Sequence, residues 1–259
     1  MEAVILCGGM GTRLREETET RPKPMVEIGG KPILWHIMSI YAAFGVRHFT
    51  LCLGYKGDVI RDYFLNYRLR SSDFTVDLST GAVEIENGGP KEDWRVTLLE
   101  TGAQTNTGGR MKRACDKVRS QTFFATYGDG VASVDIGALY ESHKSSGKPA
   151  TVTSVHPRAR FGEIDIRDGL VTEFTEKPQT TTGSINGGFF VFDRSAFEGV
   201  SDNPMLSLEN DVLASLSRRG RLAAYQHDGF WQCMDTYREM LALNELWAKG
   251  DAPWIMNRA

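Results

Sequence analysis

The stretch Val4-Ile5-Leu6-Cys7-Gly8-Gly9-Met10-Gly11-Thr12-Arg13-Leu14, with Arg21-Pro22-Lys23-Pro24 shortly after it, decides the fold. Residues 4–7 are a short apolar run of the kind that becomes a buried strand. The run breaks at Gly8, Gly9 and Gly11. Glycine has no Cβ, so backbone N–H groups there can come close to a ligand. A strand that ends in such a loop forms an anion cradle. Arg13 and Lys23 add two cations, and the flanking prolines stiffen the chain around Lys23. Together these features suit a polyanionic substrate that reacts at phosphorus.

Outward from this segment, strand and helix signals alternate. Pro32 occupies a favourable helix-start position. Ile33, Ile37, Ile40, Tyr41 and Phe44 follow at helical spacing, and Gly45 stops the run. Residues 47–53 read as strand and 59–69 as helix. This alternation predicts an α/β fold with an open, mostly parallel sheet flanked by helices, its ligand site beyond the carboxyl ends of the strands. Residues 71–101 are turn-rich with short strand-like pieces and read as a small β-rich insertion. Strand signals return at 122–126, 151–155 and 187–192. Residues 162–175 suit a hairpin around Asp168-Gly169. Helices are expected over 135–145, 208–218 and 237–249. No linker separates two units, so one domain is expected over 1–259, with 195–259 as a helical and β extension.

The 259 residues are 41% hydrophobic and 24% charged, as in ordinary globular proteins, and with a net charge of −3 nothing points to a nucleic-acid or membrane-surface binder. No apolar run approaches the ~20 residues of a membrane span, and no leader-like segment opens the chain. The four cysteines are scattered without metal or redox spacing, which predicts a reducing, cytoplasmic setting.

The glycine loop is not a Walker motif, since no Gly-Lys-Ser/Thr follows. It also fails the dinucleotide fingerprint, because Leu14 stands where the third glycine belongs. That weighs against an NAD(P)-dependent reductase. Asp129, between Gly128 and Gly130, ends the strand-like run 122–126. Asp235 ends the apolar run 230–234 and is either the second of two carboxylates on a Mg²⁺ ion or the N-cap of the last helix. Lys177 precedes a proline, and Asn186 precedes Gly187 and Gly188. Residues 101–110 read as a second glycine-rich turn carrying Arg110. No Ser-His-Asp or Cys-His set is found among the five histidines (His36, His48, His143, His156, His227), and His36 reads as a packing residue. Trp247 and Trp254 suit either core packing or packing between subunits.

Taken together, 4–14, 21–36, 126–131, 174–178, 185–192 and 230–236 resemble the sugar-1-phosphate nucleotidylyltransferases. The Thr107-Gly108-Gly109-Arg110 region resembles their cytidylyl-transferring branch. The resemblance covers essentially the whole chain and implies a Rossmann-like mixed α/β fold. It implies that Leu6, Cys7, Gly8, Gly9 and Met10 contact the nucleotide, while Gly11, Thr12 and Arg13 grip its phosphates. Lys23 would stabilise the reacting phosphoryl group. Thr105 and Arg110 would read the base, with Gly128 beside it, and Asp129 and Asp235 would hold Mg²⁺. Glu176, Lys177 and Asn186 would face the sugar phosphate, so that Arg13, Lys23 and Lys177 are the catalytic cations. The implied reaction joins CTP and α-D-glucose 1-phosphate into CDP-glucose and pyrophosphate, in a homo-oligomer. The alternatives are the same chemistry on dTTP, UTP, GTP or another sugar phosphate, while Asp129 and Asp235 weigh against a silent nucleotide-sugar sensor. The incoming phosphate is already ionised near neutrality, its second pKa being about 6, so no general base is needed.

Overall fold

Seven strands carry the central sheet of the computed structural model, which describes residues 1–11, 13–156, 163–167, 170–175 and 183–256. In chain order they are β1 (Glu2–Leu6), β2 (His48–Leu53), β3 (Arg95–Glu100), β4 (Thr122–Tyr127), β5 (Ala150–Val155), β6 (Ile185–Asp193) and β7 (Leu222–His227). Their order in space is β7-β5-β6-β4-β1-β2-β3. Neighbours run parallel except around β6, which is antiparallel to both β5 and β4. The sheet is therefore mostly parallel, as the alternation of signals predicts, and mixed, as the family resemblance implies.

β1 lies in its interior and is buried on both faces. Ala3, Ile5 and Cys7 pack into one apolar cluster, and Val4 and Leu6 into the other. Successive strand side chains point to opposite faces, so a strand covered on both sides must be apolar throughout. The first face is covered by α1 (Ile33–Ala42), which buries Ile33, Ile37, Ile40 and Tyr41. After α2 (Gly57–Leu65), the opposite face is covered by α3 (Thr107–Lys117) through Met111, Ala114 and Cys115. α4 (Ile136–Ser146) starts at Asp135, whose side chain accepts from Ala138 N, and stops at Gly147 in the left-handed region.

Several local expectations are corrected. The β-rich insertion is smaller than 71–101. Ser72–Val76 and Val83–Gly88 form a ribbon outside the central sheet, but β3 joins that sheet parallel to β2. β3 is a half-exposed edge strand, so its sequence lacks the continuous apolar run of β1. At the opposite edge β7, from the expected carboxyl-terminal extension, pairs with β5. Residues 107–110 are not a turn but the first turn of α3. Gly108 and Gly109 stand there because a Cβ would lie 2.8 Å from the carbonyl oxygens of Leu206 and Asn203 respectively. Pro32 is the N-cap of α1 rather than its first residue. The helix expected over 208–218 opens as a π-helical segment, Leu208–Leu213, and continues as the α-helix Ala214–Arg218. Glu163–Arg167 and Leu170–Thr175 pair as the expected hairpin, with Asp168 and Gly169 outside the described residues.

The carboxyl-terminal segment returns to the start of the chain. α5 (Tyr237–Ala248) begins at Thr236, which forms a capping box with Glu239; Asp235 is not its N-cap. Asn244 bonds Gly29 N and Glu27 O, and the Trp247 indole fills the space above Gly29. Trp254 is fully buried and donates through Nε1 to His36 Nδ1 at 3.2 Å. His36 Nε2 lies 2.9 Å from the Ile28 carbonyl, so it carries the proton and the ring is neutral. Both tryptophans are packing residues within the subunit. Among the described residues no helix is long and apolar enough to cross a membrane.

Candidate active site

A cavity of about 700 Å³ opens beyond the carboxyl ends of β1 and β4, where parallel α/β sheets place their ligands. Leu6, Cys7, Gly8, Gly9, Met10 and Gly11 form its floor and one rim. Lys23, Thr105, Arg110, Gly128 and Asp129 line the remainder together with Arg13. A second cavity of about 290 Å³ shares Arg13, Tyr127 and Asp129 with the first and is completed by Asn186, Trp231 and Asp235 among others. The structure thus joins one large and one small compartment along a common wall. Thr12, Glu176 and Lys177 lie outside the described residues.

The common wall carries the charge. Pro22 caps a single 3₁₀ turn, Lys23–Met25, that turns Lys23 inward, and the residue is buried. Lys23 Nζ donates to Asp129 Oδ2 at 2.9 Å and to Asp235 Oδ1. Arg13 Nη1 reaches Asp235 Oδ2 at 2.6 Å while most of the Arg13 side chain stays exposed. Burial alone works to lower the Lys23 pKa. The Asp129 charge and the hydrogen bonds to both carboxylates outweigh it, so the pKa is raised and the amine stays protonated. Asp129 and Asp235, 106 residues apart, therefore converge on one cation. That is the donor set Mg²⁺ takes from a protein when phosphates and water supply its other ligands. Among the described residues no cluster of three or more such ligands exists.

Arg110 is buried beneath the glycine loop. Nη1 donates to Leu53 O at 2.8 Å and to Thr101 Oγ1 at 2.7 Å; Nη2 donates to Gly8 O at 3.0 Å and to Ala103 O at 3.3 Å. A Cβ at Gly8 would fall 2.2 Å from the guanidinium carbon, and one at Gly54 2.8 Å from it. These two glycines leave the slot the guanidinium fills. All four terminal N–H bonds serve protein acceptors, so Arg110 shapes the loop from below. Thr105 is also buried, with its hydroxyl 3.4 Å from Arg113 Nη1. Gly11 adopts φ +61°, which lets the chain turn back over Thr18 and Lys23.

Some contacts behind the wall join residues that nothing in the sequence pairs. The Tyr127 phenol donates to Glu209 Oε1 at 2.5 Å and accepts from Asn186 Nδ2 at 3.2 Å. Trp231 Nε1 donates to Gly187 O at 2.7 Å. Tyr127 could be suspected from its place before Gly128-Asp129 at a strand end; Glu209, 82 residues away, could not. Burial, then the nearby Asp235 charge, push the Cys233 thiol up to about 12, so it stays protonated beside the smaller compartment. The arrangement sets two compartments side by side, with the cations Arg13 and Lys23 and the carboxylates of Asp129 and Asp235 at their junction.

Comparison with known proteins agrees with this geometry. The family model "Nucleotidyl transferase" matches residues 2–245. The chain is 50% identical to a glucose-1-phosphate cytidylyltransferase of Salmonella typhimurium, over 98% of each chain. It is 44% identical to a Bacillus subtilis protein named "Probable glucose-1-phosphate cytidylyltransferase", over 98% of this chain and 99% of that one. Among solved structures, HddC from Yersinia pseudotuberculosis complexed with GMP-PN superposes with a TM-score of 0.70 at 26% identity, covering 95% of this chain and 99% of that one. The family match over nearly the whole length, and relatives 44–50% identical over 98% of the chain, place this chain in the nucleotidyl transferase family.

Proposed function

We propose that this protein transfers the cytidylyl group of CTP to α-D-glucose 1-phosphate, forming CDP-glucose and releasing pyrophosphate. The observation that carries the reading is the 50% identity, over 98% of both chains, with the Salmonella glucose-1-phosphate cytidylyltransferase. The paired compartments support it, the larger suiting CTP and the smaller the sugar phosphate.

In this reading an oxygen of the sugar phosphate attacks the α-phosphorus in line. A P–O bond forms, the bond to the bridging oxygen of the β-phosphate breaks, and pyrophosphate leaves with the electron pair. The nucleophile is already an anion, so the protein's task is electrostatic. The glycine loop, residues 8–11, presents backbone N–H groups to the triphosphate. Arg13 and the protonated Lys23 sit at the junction, where charge grows on the α-phosphate and on the leaving group. Thr12 would complete the phosphate grip. Asn186 faces the sugar, with Glu176 and Lys177 proposed beside it. Thr105 and Arg110 shape the end of the larger cavity proposed for the base. Asp129 and Asp235 would hold Mg²⁺, which when bound offsets phosphate charge. The reading extends to a homo-oligomer, supported by the family resemblance, and to a reducing, cytoplasmic compartment, supported by four free cysteines.

A pyrophosphate-release assay tests the proposal with CTP, UTP, dTTP and GTP, each against α-D-glucose 1-phosphate and other sugar 1-phosphates. GTP belongs in the panel because the Yersinia structure holds GMP-PN. Fastest turnover with CTP and α-D-glucose 1-phosphate is expected; a preference for another nucleotide overturns the base assignment.

A further inference from the structure

One carboxylate outside the reacting groups ties the two compartments together. Glu209 lies in the π-helical segment Leu208–Leu213, a geometry concentrated at functional sites. Its Oε1 accepts the Tyr127 phenol at 2.5 Å. Its Oε2 accepts the Thr107 hydroxyl at 2.8 Å and the Ser207 hydroxyl at 2.9 Å. Thr107 lines the larger cavity and starts α3; Tyr127 lines both cavities. Burial works to raise the Glu209 pKa, yet the hydrogen bonds from Tyr127, Thr107 and Ser207 hold it below its ordinary value. The side chain is ionised, and an ionised carboxylate only accepts.

That fact orients everything attached to it. The Tyr127 proton goes to Glu209, so the phenol oxygen faces Asn186 as an acceptor. Asn186 must then present Nδ2 to it, as observed at 3.2 Å. The other end of the same amide agrees, since Oδ1 accepts Gly188 N at 2.8 Å. The amide is thereby held in one orientation, with its second N–H left for the smaller compartment. The ring cannot swing away, because Gly188, at φ +78°, packs its backbone against it and Phe190 meets it edge-on at 5.7 Å. On the other arm Thr107 Oγ1 accepts Leu208 N at 2.9 Å, which ties the start of α3 to the segment that carries Glu209.

We infer that Glu209 is a positioning residue that sets both compartments at once, holding Asn186 through Tyr127 on the acceptor side and the start of α3 through Thr107 on the nucleotide side. This inference rests on the reading of the smaller compartment as the sugar-phosphate site.

Three variants separate the two arms. Glu209→Gln keeps the shape, but one end of the amide is a donor and cannot accept from Tyr127 and the two hydroxyls together. Loss of a hydrogen bond to a charged group should raise KM for both substrates about tenfold. Tyr127→Phe keeps the ring and cuts only the acceptor arm, so KM for the sugar phosphate should rise about tenfold while KM for CTP stays within about twofold. In the double variant the sugar-phosphate effect should match that of Glu209→Gln alone, because both act through one chain of contacts. Thermal unfolding, read on each variant, separates general destabilisation, which would change kcat and both KM values without this split. Unchanged KM values in Glu209→Gln, equal effects of Tyr127→Phe on both substrates, or additive effects in the double variant overturn the inference while wild-type turnover leaves the proposed function standing. Absence of wild-type turnover with any sugar phosphate overturns the function and the inference with it.

Discussion

The Lys23 ammonium lies 2.9 Å from Asp129 Oδ2, joining residues 106 positions apart at the junction of the two cavities. The contact brings the start of the chain to the end of β4 and places a buried, protonated amine where two polyanions would meet. Lys23→Ala and Asp129→Asn should each lower kcat about a hundredfold, on the order of 3 kcal/mol of transition-state stabilisation, by comparison with lost oxyanion donors. Circular dichroism and a cooperative urea transition should show a folded protein in both. Near-normal kcat at saturating Mg²⁺ in either variant would sink the assignment of this junction as the reacting centre.

The pair of Asp129 and Asp235 gives a separate expectation for metal. Removal of divalent ions with a chelator should abolish turnover, and Mg²⁺ should restore it. Asp235→Asn should raise the Mg²⁺ concentration needed for half-maximal rate, since Mg²⁺ binds through few protein carboxylates and each counts. Full activity in the chelated enzyme would remove the metal from the proposal.

Gly8 and Arg110 make a packing prediction. An alanine Cβ at position 8 would lie 2.2 Å from the guanidinium carbon, and the neighbour it meets has four hydrogen bonds to lose. Gly8→Ala should therefore cost about 2 kcal/mol of stability, the range of core overpacking. It should also raise KM for the nucleotide more than it lowers kcat. Urea denaturation and initial-rate kinetics on the same preparation check both parts. A variant as stable as wild type would show that the slot has slack.

His36 supplies a pH dependence. Burial pulls its pKa from 6.5 down to about 4, against smaller opposing effects from its hydrogen bond to Ile28. The unfolded chain takes up this proton below about 6.5 and the folded chain only below about 4. The stability that neutral His36 contributes is thus complete above pH 6.5 and is lost as pH falls toward 4, a span worth about 3 kcal/mol. Denaturation at pH 7.5 and pH 4 should show a loss larger by about that amount in wild type than in His36→Gln. Equal losses in the two proteins would mean that the ring is not held neutral by its burial.

Much of this molecule can be read locally. The apolar run 4–7, the helical spacing from Ile33 to Phe44 and the start of α4 at Asp135 are each dictated by neighbours a few residues away. Edges were harder. β3 is half exposed and sits at the rim of the sheet, so its composition differs little from that of the ribbon before it. The turn expected at 107–110 is helical because Gly108 and Gly109 serve close approach to residues 203–208 rather than a change of chain direction. A glycine looks the same in sequence whether it turns a chain or lets another chain come near.

The site divides along the same line. The sequence by itself determined the chemistry available: a glycine loop after a buried strand, the cations Arg13 and Lys23, and the acidic Asp129 and Asp235. Residue type and local spacing settle such matters, because charge and backbone freedom belong to the residue. Only the tertiary structure decided which groups act on which. It turned Arg110 under the loop with its terminal N–H groups already spoken for, and turned Asp235 toward Lys23 rather than onto the helix that follows. It also brought Glu209 to Tyr127 across 82 residues. Hydrogen bonds are settled by distances of about 3 Å, and across such separations distance is set by the packing of the whole sheet, which no local stretch of sequence contains.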